Sequence, residues 1–198
     1  ENINGISFLK EQQPHRTPPR NIERNLDIFP MPAYQLFPTA VYLKNMQVSD
    51  GGRYKRQATI ITSRGCPNKC TFCWRMAGPG IRFRSIEKIL EEIKYLISNY
   101  DIDSMFFLDE TINASEKRVA DVCKGLVENK IDLPWISHAR ADRIDPGTLK
   151  LMKESGCVRL SVGVESGSNE MLKKMNKNVT VEQNKKAVVL IKQAGIKV

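Results

Sequence analysis

From Ala58 onward, short apolar runs alternate with longer segments in which apolar residues recur every three or four positions. The short runs are apolar on successive residues, which predicts strands buried on both faces. Four of them are complete: 58–62, 105–108, 135–139 and 158–164. A fifth begins at Ile196, after the last of four amphipathic segments that predict helices. This alternation predicts a parallel sheet covered by helices.

Capping signals place the starts of these helices. Ser85 precedes the apolar stripe of the first, and Asn113, with Glu116 three residues later, predicts the start of the second. Asp145 followed by Pro146 predicts the third, because proline suits the first turn of a helix. Thr180 with Gln183 predicts the start of the fourth. Each of these strands is therefore followed by a loop and a capped helix.

A doubly wound sheet and a barrel fit this alternation equally well. An eightfold (β/α) barrel needs about 250 residues, so a chain of 198 residues holds only part of one. Before the regular core at 58–198 lies a segment, residues 1–57, in which apolar residues stand among six prolines. We expect this segment to be an extended linker that packs on the core. Because the chain lacks an initiator methionine and stops inside an apolar pattern, we expect it to be a piece of a longer protein.

Lysine and arginine outnumber aspartate and glutamate by 31 to 22, which gives a net charge of +9. Much of the excess comes from six lysines near the C-terminus: Lys173, Lys174, Lys177, Lys185, Lys186 and Lys192. We interpret them as the solvated faces of helices rather than a phosphate-binding surface, because no arginines or aromatic residues lie among them. The charge pattern therefore does not favour nucleic acid as a partner.

No apolar run approaches the roughly 18 residues that span a bilayer, so we expect no membrane span. Residues 1–10 lack the basic start and apolar stretch of a signal peptide. Five cysteines are an odd number, and three of them crowd into eight positions. A disulfide framework instead spreads an even number of cysteines through a secreted chain. We therefore expect a cytoplasmic protein.

The three clustered cysteines, Cys66, Cys70 and Cys73, come directly after the first predicted strand. A cubane iron–sulfur cluster is normally held by four thiolates, and three protein ligands leave one metal open to substrate. One alternative is a zinc site, which needs a fourth ligand from His15 or His138. Another is a thiol switch that uses two of the three cysteines. We favour an open cluster.

The spacing Cys-x3-Cys-x2-Cys, with Phe72 before the last cysteine, resembles that of the radical S-adenosylmethionine (SAM) enzymes. The stretch 62–73 is similar to the branch whose members often carry an upstream cobalamin-binding domain. Four further segments are similar to that branch at matching places: 26–34, 109–110, 140–142 and 163–168. The resemblance implies a partial (β/α) TIM-like barrel, truncated after about four βα units. It also implies that the proline-rich linker follows a missing upstream domain.

The same resemblance implies the cofactors. Cys66, Cys70 and Cys73 would hold a [4Fe–4S] cluster, and the amino and carboxylate groups of SAM would chelate its fourth iron. An electron from a donor such as a flavodoxin or ferredoxin would then cleave SAM to methionine and a 5′-deoxyadenosyl radical. Alternatively, the core would support cobalamin-dependent methyl transfer, with cobalamin held by a domain outside this chain.

The resemblance leaves the reaction open and assigns no catalytic residue. It implies a methyltransferase, a cyclase or a rearrangement enzyme that acts on a small or lipid-like molecule. One alternative is a methylthiotransferase-like enzyme that modifies tRNA or protein. Another is a non-catalytic, metal-stabilised module that binds nucleic acid, which predicts zinc in place of iron and binding that weakens steeply with salt.

Further site residues are expected where the parallel strands end, because active sites gather at the carboxyl edge of such a sheet. Asp109 and Glu110 are the candidates for the SAM amino group, since an ammonium attracts a carboxylate. Their alternative is a plain carboxylate pair at a helix start. Glu165 is the candidate for the ribose hydroxyls, or else for a salt bridge to a neighbour such as Arg140. Arg140 itself is expected to reach a carboxylate of SAM or substrate.

Two aromatic residues flank the third cysteine. Phe72 and Trp74 are expected to line the adenine pocket, and for Trp74 the alternative is plain packing. His138 shares one strand face with Arg140, which makes it a candidate for the site. The alternative is that His138 is a core histidine with satisfied hydrogen bonds.

Overall fold

The computed structural model describes residues 3–45, 54–74 and 77–198. The strands and helices in these ranges are, in chain order, β1 (Ser7–Lys10), β2 (Gln13–Arg16), α1 (Thr39–Asn45), β3 (Gln57–Ile60), β4 (Ser63–Arg64), β5 (Arg82–Phe83), α2 (Ile86–Tyr100), β6 (Ser104–Phe107), α3 (Glu116–Glu128), β7 (Trp135–Ala139), α4 (Pro146–Glu154), β8 (Cys157–Val162), α5 (Asn169–Lys174) and α6 (Val181–Gln193). Short 3-10 turns lie at Leu26–Ile28, Tyr34–Leu36, Ile112–Ala114 and Ala141–Arg143.

Four of the strands form one parallel sheet in the order β3-β6-β7-β8. Neighbouring strands of this sheet follow one another in the same order along the chain, and a helix crosses over between each pair. Arg159 of β8 forms an isolated parallel bridge with Lys197, where the fifth strand was expected to begin. The predicted α/β class with a parallel sheet is confirmed.

Helices α2, α3, α4 and α6 all lie against the same face of this sheet. They share one buried apolar core with alternate residues of the strands, such as Ile60, Phe107 and Leu160, each 0% exposed. Helices cover both faces of a doubly wound sheet, so this one-sided cover is that of an arc of a (β/α) barrel. We call the face under these helices the outer face and the opposite one the inner face.

Burial on the inner face differs from the prediction. Phe106 and Ile136 are buried there, but His138 of β7 is exposed, and Arg159 and Ser161 of β8 are only partly buried. The prediction of strands buried on both faces is therefore correct for β6, fails at His138 of β7, and is wrong for β8. In a barrel the inner face is covered by side chains from the other strands, and the four strands described here supply only part of that cover.

The helix starts follow the sequence signals in three cases and depart from them in one. Ser85, Asp145 and Thr180 cap α2, α4 and α6 through their side chains. Helix α3 is capped by Ser115 rather than by Asn113. Asn113 is instead buried, and its side-chain amide donates to two backbone carbonyls in the turn after β7. This tertiary contact explains why Asn113 lies outside the helix.

The segment before the core begins with a hairpin of β1 and β2 and then continues along the body. Tyr34 donates a hydrogen bond to the buried carboxylate of Glu92 on α2, and Glu92 also pairs with Arg84 at 2.5 Å. The carboxylate of Asp27 accepts from the backbone N–H of Ser85 at the start of α2. These contacts hold the proline-rich stretch against the first helix of the core.

The expected linker, residues 1–57, is described except at positions 1, 2 and 46–53. Its boundary at residue 57 stays a prediction, and the first strand of the parallel sheet begins at Gln57. None of the helices in the described ranges has the length and apolar character that crossing a membrane requires.

Candidate functional site

Asp109 holds Thr62 and Ser63, which lie just after β3, through hydrogen bonds. The carboxylate of Asp109 is buried (2% exposed) just after β6. One of its oxygens accepts from the backbone N–H groups of Thr62 and Ser63 at 2.7 and 3.1 Å, and the other accepts from their hydroxyls at 2.5 and 2.9 Å. Burial raises the pKa of this carboxyl, and the four hydrogen bonds act in the opposite direction. Asp109 was expected to bind the SAM amino group. Both of its carboxylate oxygens instead hold the stretch of chain that precedes the cysteines.

A glycine makes the turn into the cysteine loop possible. Gly65 adopts a φ of +93°, where residues with side chains are strained, and a Cβ there would lie 2.3 Å from the carbonyl oxygen of Gly80. Strands β4 and β5 on either side of the loop pair antiparallel, and Cys66 forms a bridge with Pro79. The loop is therefore closed at its base.

The three cysteine thiols surround one cavity at the carboxyl end of the sheet. Cys66, Cys70 and Cys73 line this space of about 350 Å³, and none of them forms a disulfide. Partial burial raises the pKa of the Cys73 thiol, and the neighbouring Cys66 and Cys70 raise it further. The structure therefore places the three thiols within electrostatic range of one another.

The arrangement of these thiols bears on the choice between zinc and a cluster. Within residues 3–45, 54–74 and 77–198, no three His, Cys, Asp or Glu side chains are arranged to bind one metal ion. A zinc site needs such convergence, because its ligands surround a single ion at about 2.0–2.3 Å. His15, one candidate for a fourth zinc ligand, lies in the β1–β2 hairpin against Phe8. In a cubane cluster each thiolate binds a different iron, so a cluster does not require the three thiols to meet at one ion.

A turn between α5 and α6, residues 175–178, holds the cysteine loop in place. The backbone N–H of Thr71 donates to the carbonyl of Met175 at 2.9 Å. The side-chain amide of Asn176 donates to the carbonyl of Lys69 at 2.8 Å, although the two residues are 107 positions apart. Asn176 adopts a left-handed φ of 50°, which asparagine tolerates better than most residues.

Arg140 is buried (6% exposed) between this turn and the loop. Its Nε and Nη2 donate to the carboxylate of Asp142 at 2.9 and 3.2 Å, and Nη2 also donates to the carbonyl of Lys177 at 2.7 Å. Nη1 lies 3.7 Å from Sγ of Cys70, within hydrogen-bonding distance of a sulfur acceptor. The guanidinium expected to reach a carboxylate of SAM or substrate is therefore engaged by groups of the chain itself.

Lys177 is a site residue that the sequence analysis placed wrongly. We expected a solvated helix face, but Lys177 is 6% exposed and precedes α6, whereas the other five lysines of that group are exposed. Its Nζ lies 2.7 Å from Oε1 of Glu165 and 5.7 Å from the centre of the Phe72 ring, a cation–π distance. The salt bridge anticipated for Glu165 thus exists, with Lys177 rather than Arg140. The sequence does contain a signal that Lys177 lies in a turn: it stands between Asn176 and Asn178, and asparagine favours turns over helices.

The end of β8 is shaped to accommodate this ion pair. Glu165 adopts a left-handed φ of 57°, which is uncommon for a residue of its kind. Gly163 leaves room for both partners, because a Cβ there would lie 2.5 Å from Oε1 of Glu165 and 3.0 Å from Nζ of Lys177. The stretch after β8 and the 175–178 turn therefore present a carboxylate and an ammonium to the cavity together.

The remaining candidates divide between the cavity and the surface. Glu110, Phe72 and His138 line the cavity beside the cysteines. His138 is exposed rather than a buried core histidine, and its ring meets the Phe106 ring edge-on at 5.2 Å. Partial desolvation lowers its pKa. Trp74 is 83% exposed and is not packed in a core, so of the two expected adenine contacts the described lining includes Phe72 alone.

Comparison with known proteins identifies the family. A family model of the radical SAM superfamily matches residues 60–198, which include strands β6, β7 and β8 of the parallel sheet, the cysteine loop and the 175–178 turn. The chain belongs to the radical SAM superfamily. A solved radical SAM structure, that of the cobalamin-dependent enzyme OxsB with aqua-cobalamin and SAM bound, aligns with a TM-score of 0.81 at 25% identity, over 98% of this chain and 28% of OxsB. The partial radical SAM barrel is thereby confirmed.

Two curated relatives of this radical SAM chain are longer than the chain itself. An uncharacterized methyltransferase of Pyrococcus horikoshii is 32% identical over 196 residues, which are 98% of this chain and 41% of that protein. The anaerobic magnesium-protoporphyrin IX monomethyl ester cyclase of Rubrivivax gelatinosus is 32% identical over 149 residues, 72% of this chain and 26% of the cyclase. The chain thus spans less than half the length of either relative.

Proposed function

We propose that this chain is the core of a radical SAM enzyme that holds a [4Fe–4S] cluster through Cys66, Cys70 and Cys73 and binds SAM in the adjoining cavity. The observation that carries the proposal is the lining of that cavity, which combines the three thiols with Glu110 and Lys177. When bound, the cluster supplies the electron that cleaves SAM reductively. The residues of this chain hold the thiols around the cavity and orient the bound SAM.

The polar side chains of the cavity suit the zwitterionic methionine part of SAM. Glu110 is an exposed carboxylate on the cavity wall that attracts an α-ammonium group. Lys177 lies on the same cavity and attracts an α-carboxylate, while its partner Glu165 is 32% exposed and remains accessible to ribose hydroxyls. The Phe72 ring is 51% exposed and offers an apolar surface to adenine. Asp109 takes no part in this scheme beyond holding the loop.

For the whole reaction we propose methyl transfer or cyclisation on a small or lipid-like molecule, supported by cobalamin that a domain outside these residues holds. The support is that relatives over much of the chain are a methyltransferase and a porphyrin ester cyclase, and that the structurally similar OxsB has both cobalamin and SAM bound. A one-electron donor such as a flavodoxin or ferredoxin is proposed to reduce the cluster.

Anaerobic reconstitution with iron and sulfide tests this proposal, followed by electron paramagnetic resonance (EPR) of the reduced chain with and without SAM. We expect about four irons per chain and a cubane signal that changes when SAM is added. Uptake of one zinc ion and no cluster would contradict the proposal. A cubane signal that ignores SAM would support the cluster and overturn the assignment of the SAM site.

Alanine variants of the cysteines provide a matched comparison. Replacement of Cys66, Cys70 or Cys73 by alanine is expected to abolish the SAM-dependent signal, because each thiolate binds a different iron. Cys123→Ala is the control, since that thiol lies on the buried face of α3 (2% exposed) rather than in the loop. If Cys123→Ala lost iron as completely as the loop variants, the cysteine loop would not be the cluster site.

A further inference from the structure

We propose that Arg140 is a positioning residue that, through its contact with Cys70, makes the bound cluster easier to reduce. The inference rests on the proposed function, since it assumes that Cys70 binds cluster iron. It gives a different role to a residue whose position in the sequence suggested a contact with SAM or substrate. Three observations carry it: the contact itself, the way in which it is held, and the different guanidinium nitrogens that Asp142 and Cys70 meet.

The guanidinium that meets the partly buried Cys70 sulfur is itself buried. Nη1 of Arg140 lies 3.7 Å from Sγ of Cys70, and only 6% of Arg140 is exposed. Little solvent therefore screens the charge, so its effect on the sulfur is stronger than that of a surface arginine. The hydrogen bond and the positive charge both act on a thiolate that the proposed function assigns to iron.

The chain holds this contact from two directions. The backbone N–H of Arg140 donates to Oδ1 of Asn113 at 2.9 Å, and Asn113 is itself 1% exposed. Nη2 of Arg140 donates to the carbonyl of Lys177 at 2.7 Å. Lys177 belongs to the 175–178 turn, which also holds the cysteine loop through Thr71. The guanidinium and the Cys70 sulfur are therefore positioned by the same turn.

The negative charge of Asp142 offsets only part of the positive charge at the sulfur. Asp142 binds the edge of the guanidinium that carries Nε and Nη2, whereas Nη1 faces Cys70. The nearer charge prevails at the sulfur because Coulomb energy falls with distance. Reduction adds one negative charge to a cluster, and hydrogen bonds to its sulfurs and nearby charge set its potential. A cation held at Cys70 therefore favours the reduced state.

The test is the potential at which half of the cluster is reduced, read from the EPR signal of the reconstituted chain poised at a series of potentials with dithionite as electron donor. Arg140→Gln removes the charge and leaves a hydrogen-bonding amide. We expect its one-electron reduction equilibrium to shift about tenfold toward the oxidised cluster, which is about 59 mV more negative. An unchanged potential in this variant would overturn the inference.

Lys173→Gln is the matched control, because it makes the same charge change on the exposed face of α5. We expect its potential to equal that of the unmodified chain, since exposed charges are screened by solvent and salt. An equal shift in Lys173→Gln and Arg140→Gln would show an effect of net charge alone and would also overturn the inference.

Asp142→Asn is predicted to shift the potential in the opposite direction. Neutralising Asp142 leaves the charge of Arg140 less compensated, so the potential should become less negative. This variant decides the matter if Arg140→Gln does not fold or takes up no iron, and the absence of a positive shift then overturns the inference. If the unmodified chain itself assembles no cluster, the proposed function fails and the inference falls with it. Failure of the inference alone leaves a cluster with an unaltered potential.

Discussion

The two faces of the parallel sheet carry side chains of opposite character. On the outer face, Ile60, Phe107 and Leu160 occupy matching positions on three strands and are completely buried under the helices. On the inner face, His138 and Ser161 pair across β7 and β8 and remain at least partly exposed. The outer face belongs to one continuous apolar core, while the inner face leads to the polar cavity that the cysteines line.

This difference separates what stabilises the chain from what organises its site. Apolar contacts are non-directional, so the outer face gains stability wherever its side chains leave water. A buried charged group costs free energy unless it meets a partner in a suitable geometry. Asp109, Arg140 and Lys177 each have such partners, and each of them contacts or positions the cysteine loop. The outer face should therefore control the free energy of unfolding, and the polar contacts should control the geometry of the thiols.

A large loss of stability is expected in the apolar core between the helices and the outer face. Leu126→Ala removes a fully buried side chain of α3 and should lower the free energy of unfolding by about 2–5 kcal/mol. Val127→Ala, on the next residue and 53% exposed, should stay within about 0.5 kcal/mol. Denaturant unfolding of both variants gives the comparison. Equal losses would show that the core under the helices does not dominate stability.

The same contrast explains how much of this molecule its sequence predicts. Burial on the outer face leaves a local periodic pattern, so the strands and four main helices of the sheet are predicted correctly, as is the family through its cysteine spacing. The polar contacts leave no such pattern. Asn113 looks like a helix start but donates to carbonyls after β7, and Lys177 looks solvated but is buried against Glu165. Partners this far apart in the chain become visible only in the folded structure.

A smaller effect on stability, but a larger one on the thiols, is expected at the base of the cysteine loop. Gly65→Ala places a residue with a side chain at a φ of +93° and puts its Cβ 2.3 Å from a backbone oxygen. The conformational strain costs about 1–3 kcal/mol, and the contact is relieved only by movement of the loop. We expect iron uptake to be lost while most of the outer core stays folded.

Gly167→Ala is the control for that prediction. Apart from its chain neighbours, no atom lies within 4 Å of a Cβ placed on Gly167, which follows β8 and is outside the cysteine loop. We expect this variant to bind iron like the unmodified chain. Iron analysis after reconstitution, together with denaturant unfolding, distinguishes the two glycines. Full iron uptake by Gly65→Ala would show that the loop geometry is less constrained than the contact with Gly80 indicates.

The smallest effect is expected from Asp109→Asn, which separates the two roles open to Asp109. Asp109→Ala leaves the buried backbone N–H groups of Thr62 and Ser63 without their acceptor, which costs about 1–3 kcal/mol each. Asp109→Asn keeps one carbonyl oxygen for these groups and offers its NH₂ to the two hydroxyls, so its loss should be under about 1 kcal/mol. If Asp109 holds the loop rather than the SAM ammonium, the asparagine variant also keeps its affinity for SAM.

Glu110→Gln provides the comparison within the same pair of carboxylates. Glu110 is exposed on the cavity wall, so removal of its charge should weaken SAM binding while leaving the free energy of unfolding nearly unchanged. Binding measured by equilibrium dialysis on the reconstituted chain separates the two variants. A loss of SAM affinity in Asp109→Asn as large as that in Glu110→Gln would return the ammonium contact to Asp109. A loss of SAM affinity in Glu110→Gln alone would mean that the two adjacent carboxylates have different roles. Asp109 would then hold the cysteine loop, and Glu110 would bind the ligand.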